Sequence, residues 1–432
     1  MPDHRSRADL LGDCVHCGFC LTGCPTYVLW GEEMDSPRGR IHLIRGLDEG
    51  DVLDAGVAQH VDTCLGCMAC LTSCPSGVRY DVLIEGTRER VEREVRRRPQ
   101  DRAVRALVFA LFPRPRRLRA AAALLRLTQR TGADRAVTRS AWLRGRFPRL
   151  VTMVALAPPL PPASRSRPPA DARAQGVARA RAALLTGCVQ GVMFPRVNQA
   201  TQRVLAAEGC DVVVPPGQGC CGALSLHAGR REEARRYARA LIDRVEPALR
   251  PGDAVVTNAA GCGSTLKEYG DLLADDPAYA QRAAAFATRV RDAAELLADL
   301  GPRAVRHPIE VTVAYHDACH LGHAQRVRAQ PRSLLAQIPG LRVREIAEGD
   351  LCCGSAGVWN VLNPEPAAQL GARKAANVRA TGAQLLVTGN PGCLMQIRQS
   401  LATTGDHSPM PVMHTIELLD VSLRGADPRL GP

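Results

Sequence analysis

The C-terminal half of the chain carries one hydropathy pattern twice. In the first copy, short apolar runs at Ala182–Leu185, Asp211–Val214 and Ala254–Thr257 alternate with Val197–Glu208 and Arg231–Val245, where apolar residues recur at helical spacing. The second copy has runs at Glu310–Tyr315, Leu341–Ile346 and Gln384–Thr388, and helical periodicity over Arg326–Gln337 and Pro364–Ala380. Strands and helices alternating at these lengths predict β-α-β units and a parallel sheet in each copy. The N-terminal segment reads differently: Arg40–Gly46 and Val52–Val61 have helical rather than alternating periodicity, and Val82–Val95 continues as a charged helix that Pro99 closes. Between the two regions lie a helical Ala/Leu/Arg stretch, Arg117–Thr128, and a proline run from Pro158 to Pro169. Proline fixes φ and removes a backbone donor, so that run is a linker rather than a central strand or helix interior. The expected division is therefore 1–98, an α-helical domain; 99–175, an Arg/Pro-rich helical linker; and 176–305 and 306–432, the two repeats.

Composition narrows the functional classes. A chain of 432 residues with 46% hydrophobic but only 3% aromatic content can bury a large Ala/Leu/Val core, and it has no uninterrupted apolar stretch long enough to span a bilayer. The net charge of +13 is almost wholly arginine, because Lys267 and Lys374 are the only lysines. Arginine is densest from Arg93 to Arg181, where aromatic residues are too sparse to form a base-stacking platform, so no nucleic-acid partner is expected. That segment reads either as a solvated linker or as a surface for an acidic partner or anionic lipid headgroups. Met1–Leu10 has no apolar core of a secretion signal.

The chemistry lies in the cysteines. Eight of the seventeen fall in two copies of one pattern, Cys14-x2-Cys17-x2-Cys20-x3-Cys24-Pro25 and Cys64-x2-Cys67-x2-Cys70-x3-Cys74-Pro75. This is the ligand run of a bacterial two-cluster ferredoxin, in which three thiolates hold one cubane and the fourth ligates the other. One [4Fe-4S] cluster is thus expected on Cys14, Cys17, Cys20 and Cys74, and a second on Cys64, Cys67, Cys70 and Cys24. Zinc sites pair two CxxC units and need neither the third cysteine nor the Cys-Pro ending, and the runs are too crowded for a disulfide framework. The N-terminal domain is therefore expected to be a helical, ferredoxin-like module on an otherwise α/β chain. Thiols kept free for iron point to the reducing cytoplasm.

The two C-terminal copies carry a second cysteine set. Gly187-Cys188 matches Ala318-Cys319, Cys220-Cys221-Gly222 matches Cys352-Cys353-Gly354, and Cys262 matches Cys393, at offsets of 131, 132 and 131 residues. Each station follows a predicted strand, so Cys188, Cys220, Cys221 and Cys262, and likewise Cys319, Cys352, Cys353 and Cys393, should gather beyond the carboxyl ends of the strands. Two readings stand for these eight thiols: a further iron-sulfur centre, or small buried thiols at a domain interface. His316, His320 and His323 read chiefly as hydrogen-bonded helix-start or interface residues, with a place near a cluster as the other reading. His16 reads as exposed, with donation to a cluster sulfur as the alternative, and Cys210 as a core thiol.

The CCG-centred repeats resemble the cysteine-rich domain found twice in heterodisulfide reductase subunits, glycerol-3-phosphate dehydrogenase C subunits and lactate-utilisation proteins. With CVHCGFCLTGCPTY, SPRGRIHLI, CPSGVRY, NAAGCGSTLKEYG and LCCGSAG in this order, the whole chain outside the Arg/Pro-rich middle resembles the iron-sulfur subunits of glycolate oxidase. The resemblance implies an electron-transfer subunit beside a separate FAD subunit that oxidises glycolate to glyoxylate, with a quinone or another acceptor downstream and contact with the inner face of the cytoplasmic membrane if the acceptor is a quinone. No catalytic residue is expected on this chain, and no GxGxxG follows a predicted strand to hold a flavin or nicotinamide. The alternatives are the equivalent subunit of a lactate or glycerol-3-phosphate dehydrogenase, or a heterodisulfide reductase-like component. Many of these cysteine-rich domains end in CxxC; here the second positions are Thr265 and Gln396, which argues against the noncubane cluster of heterodisulfide reductases.

Overall fold

A computed structural model describes residues 5–162, 166–404 and 410–428. Residues 1–4 of the segment read for a secretion signal, and 163–165 of the proline run, lie outside the described residues.

The N-terminal domain is built from short helices, among them Arg7–Gly12, Pro37–Glu49, Ala55–Thr63 and Tyr80–Glu94, around Leu10, Ile41, Ile44, Val61, Ile84 and Val91. Among its described residues there is no strand, as the helical periodicity implies. Ser36 caps the second of these helices through its side chain, and Pro37 occupies the first turn, where its missing N–H has no intrahelical partner to lose. Pro99 behaves the same way. The preceding helix has already ended at Glu94, and Pro99 opens a new one rather than closing the old.

The Arg/Pro-rich middle forms five helices: Pro99–Leu111, Pro115–Thr131, Ala133–Arg139, Ala141–Arg146 and Pro148–Leu156. They lie on the repeats. Val108, Phe109 and Leu156 pack with Val358 and Val361 of the second copy, while Leu118 and Ala122 pack on Val192 of the first. Part of the arginine excess is consumed in ion pairs, Arg97 with Asp62 and Glu92, and Arg105 with Glu92; Arg114, Arg116, Arg117 and Arg119 stay exposed.

Each repeat is a four-stranded parallel sheet. The first comprises β1 (Ala180–Leu184), β2 (Cys210–Val213), β3 (Ala254–Thr257) and β4 (Val290–Asp292) in the order β2-β1-β3-β4. The second comprises β5 (Thr312–His316), β6 (Arg342–Glu345), β7 (Leu385–Thr388) and β8 (Val412–His414) in the order β6-β5-β7-β8. In both, the chain reverses its direction of winding between the first and third strands, and an open parallel sheet leaves a crevice at that switch point. The two sheets are not independent. Leu184, Val256 and Leu205 share one core with Val313, Tyr315 and Leu419, which fixes the two crevices relative to each other. No helix among the described residues is long and apolar enough to cross a membrane.

Candidate metal centres

The two N-terminal cysteine runs fold alike. Two residues in each take the left-handed conformation at the same register: His16 and Gly18 in the first, Gly66 and Met68 in the second. These reversals let thiols three residues apart face one point, at a backbone cost for the two non-glycine residues of about 1–2 kcal/mol each. Cys14, Cys17, Cys20, Cys70 and Cys74 line one cavity. Cys24 does not line it: its Sγ sits 3.3 Å from Thr26 Oγ1, and its charge is felt by Cys67 and Cys70 and also by Cys20. The structure thus brings the two runs together in one region; the crossed division of ligands between them remains the reading of the spacing.

The electrostatics around these sets are uneven. Burial pushes the Cys20 thiol up to about 11 and raises Cys67 and Cys70 well above the usual thiol range, the neighbouring thiols adding to the effect. Against the opposing effect of burial, Arg40 and Arg88 hold Cys64 low; the Gly66 N–H and the Tyr80 hydroxyl donate to its Sγ at 3.4 and 3.6 Å. Arg40 is fully buried and bonded to the His60 carbonyl, Thr26, Asp35 and Thr63, and its Nη1 has no partner among the described atoms. Buried thiols that are costly to ionise alone, beside a buried cation with a spare donor, fit a metal-thiolate group of net negative charge, since metal binding deprotonates the thiol.

In the repeats, all eight cysteines of the CCG stations line one cavity of about 190 Å³ between the two crevices. Cys188 and Cys220 lie 3.6 Å apart, and hydrogen bonds continue the series through Cys221 to Cys262. Cys319, Cys352, Cys353 and Cys393 form the same series in the second copy. Hydrogen bonds from neighbouring thiols draw Cys221 and Cys352 well below the thiol range, and Cys393 falls to about 5 through Cys353 and then, against burial, His316. The glycines of the two CCG triplets have φ of +87° and +88°; a Cβ there would meet the Ala234 and Ala367 carbonyls at 3.0 and 2.9 Å. Only glycine lets the following helix close over the thiols. The far wall of the cavity is apolar, with Phe112, Met153 and Leu156 from the middle helices, and Gln190 projects into it with neither amide atom hydrogen-bonded.

The two thiol systems adjoin. Leu65 and Cys67 share a buried cluster with Leu351 and Cys352, and Cys352 is the strongest thiol neighbour acting on Cys67. His320 Nε2–H donates to the Gly66 carbonyl at 3.0 Å while its Nδ1 accepts from Ser264 at 2.7 Å; His323 Nδ1 contacts the Thr72 hydroxyl at 2.7 Å. These two histidines are interface residues, one of the two roles read from the sequence. His316 is instead beside Cys353 and Cys393. That is the other role read from the sequence, although these thiols reach it from distant strands. Arg88, which donates to both the Cys64 and His227 carbonyls, is a domain bridge that no spacing signal marks. Cys210 is a core thiol of β2 with 0% exposure.

The described "4Fe-4S dicluster domain" matches residues 11–78, the "Cysteine-rich domain" 182–267 and 313–398, and "Glycolate oxidase iron-sulfur subunit, linker region" 100–157. The chain is 38% identical to a probable glycolate oxidase iron-sulfur subunit of Bacillus subtilis (strain 168), over 96% of this chain and 95% of the relative. It is 35% identical to the glycolate oxidase iron-sulfur subunit of Escherichia coli (strain K12), over 96% and 94%. Lactate utilization protein A of Shouchella clausii (strain KSM-K16) matches at 32% identity over 55% of this chain and 97% of the relative.

Proposed function

Because the chain belongs to the iron-sulfur subunits of glycolate oxidase, we propose that it takes electrons from an FAD-bearing partner subunit that oxidises glycolate to glyoxylate and hands them to a quinone or another acceptor. As such a subunit it is part of an oxidoreductase complex. Cys14, Cys17, Cys20 and Cys74 are the ligands of one [4Fe-4S] cluster and Cys24, Cys64, Cys67 and Cys70 those of the other, with the eight CCG cysteines available to a further centre. Bound clusters supply one-electron carrier chemistry. The protein's own contribution is to gather the thiols of the two runs and of the repeats in adjoining regions, to place Arg40 and Arg88 beside Cys64, and to cover the repeat cavity with the middle helices.

The observation that carries this reading is the buried cluster that Cys67 and Cys352 share, with Cys352 acting on Cys67. It joins the ferredoxin-like thiols to those of the repeats through packed side chains rather than solvent. The apolar wall of Phe112, Met153 and Leu156, with the unpartnered amide of Gln190, supports a ring-bearing apolar acceptor such as a quinone. Exposed Arg114, Arg116, Arg117 and Arg119 suit contact with anionic headgroups at the inner face of the cytoplasmic membrane.

The test is to purify the chain anaerobically with its flavoprotein partner and follow cluster reduction after adding glycolate, lactate or glycerol 3-phosphate. Reduction by glycolate in preference to the other two is expected. Reduction only by lactate or glycerol 3-phosphate overturns the substrate assignment, and reduction by none overturns the electron-transfer role.

A further inference from the structure

The two repeats differ at one position that faces the thiols. His316 ends β5, is 1% exposed, and its Nδ1 has no hydrogen-bond partner among the described atoms. A ring nitrogen of His316 and the Sγ atoms of Cys353 and Cys393 all lie within 4.8 Å of one another. The 131-residue offset between Cys188 and Cys319 places Leu185 at the corresponding position of the first copy (316 − 131 = 185), where it packs in a hydrophobic cluster with Cys221. A buried imidazole with an unpartnered nitrogen, beside two thiols, is a borderline-soft donor set of the kind that binds first-row metals. An aliphatic side chain at the same place can only pack.

We propose that the second repeat holds an iron-sulfur centre in which one iron atom is bound jointly by a ring nitrogen of His316 and the thiolates of Cys353 and Cys393, while the first repeat is confined to thiolate ligands. The proposal rests on the reading that the CCG thiols bind metal. It makes the two copies chemically unlike despite their common fold. His316 takes a role that a hydrogen bond to sulfur alone does not fill, because it contributes an iron–nitrogen bond. Asn390, which donates to Cys393 Sγ at 3.6 Å, then helps orient that thiolate.

The experiment uses the full chain, purified anaerobically and reconstituted with ferrous iron and sulfide, in oxidised and dithionite-reduced states. Pulsed EPR of the wild type should show the coupling of a directly bound histidine nitrogen. His316→Ala should lose that coupling and part of the iron, while the signals of the clusters on the N-terminal runs stay unchanged. His316→Cys, which restores a donor, should recover the iron but not the nitrogen coupling, and serves the same comparison if the alanine variant does not fold. Absence of nitrogen coupling in both states of the loaded wild type, persistence of the coupling in the variants, or zinc in place of iron at this site overturns the proposal. Because dithionite supplies the electrons, failure of glycolate to reduce the clusters sinks the electron-transfer reading without touching this one.

Discussion

The indole Nε1–H of Trp359 donates to the carbonyl of Thr63 at 3.1 Å, across 296 positions of sequence. Thr63 precedes Cys64, and Trp359 follows the second CCG triplet, so one bond ties the loop of one thiol set to the loop of the other. Trp359 is 6% exposed in the cluster that holds Cys67 and Cys352. Trp359→Phe removes the bond and leaves the carbonyl unpaired, at about 1–3 kcal/mol, and Trp359→Ala adds a cavity for a total of about 3–5 kcal/mol. Urea denaturation of the loaded chain measures both. Equal stability of the wild type and Trp359→Ala would show that the interface carries no weight.

Crossed ligation makes a directional prediction. Cys24 closes the first run in sequence, and its charge acts on Cys67 and Cys70 of the second as well as on Cys20. Cys24→Ser should therefore perturb the EPR signal of the cluster held mainly by the second run and spare that of Cys14, Cys17 and Cys20. Selective loss of the first cluster's signal would contradict the arrangement.

Much of this architecture is written in local patterns, and the rest depends on topology. The runs that became β1, β2, β3, β5 and β7 are mostly apolar and partly β-branched, whereas β6 is the charged, largely exposed edge segment Arg342–Glu345. The edge strands β4 and β8 are three residues each, too short for any periodicity. Their only local trace is the capping box that follows, Asp292 with Glu295 and His414 with Glu417. Pro99 reads as a helix end, yet it, Pro115 and Pro148 each sit in a first helical turn, where proline costs nothing. The cysteines declare themselves by spacing. His316 stands out beside His320 and His323, but its pairing with Cys353 and Cys393 follows only from the order β6-β5-β7.

Arg40 sets the charge near the second thiol set. Burial works against its cation, but Tyr80, Cys64, Cys24 and Asp35 hold its proton more firmly than in water. A fixed positive charge favours the more negative, reduced state of a nearby carrier. Arg40→Gln should lower the midpoint potential of the cluster bordered by Cys24 and Cys64 by tens of millivolts; ~60 mV corresponds to about 1.4 kcal/mol for one electron. Redox-monitored EPR reads the shift, and an unchanged or raised potential refutes it. The same variant should lose about 3–5 kcal/mol of stability, because Asp35 loses its buried partner.

His414 gives the fold an acid limit away from the thiols. It is fully buried, its Nε2–H donates to the Asn258 carbonyl at 2.8 Å, and its Nδ1 accepts from the Ile416 N–H at 3.2 Å. Burial lowers it from 6.5 to about 4, so it folds neutral. Above about pH 6.5 folded and unfolded chains are both neutral there and the stability is whole. As pH falls toward 4 only the unfolded chain gains the proton, and ~3 kcal/mol is lost. Denaturation at pH 7, 6, 5 and 4 should show a shallower acid limb in His414→Gln than in the wild type; parallel limbs would remove His414 from the account.

Gln190 separates arrival of electrons from their departure. It lies in the helix Val189–Met193, 2% exposed, and turns both amide atoms into the cavity without a partner. An uncompensated buried amide is unfavourable, and a carbonyl or hydroxyl of a bound acceptor would relieve it. Gln190→Leu keeps the volume and removes the hydrogen bond. The loss of about 1 kcal/mol for a neutral bond corresponds to a roughly fivefold rise in KM for a soluble quinone analogue. Reduction of the clusters by glycolate through the flavoprotein should be unaltered, since Gln190 is remote in sequence and chamber from Cys14 to Cys24. If quinone kinetics are unchanged in Gln190→Leu, the acceptor does not enter this cavity. If cluster reduction falls as well, Gln190 supports the fold of the repeat rather than a bound acceptor.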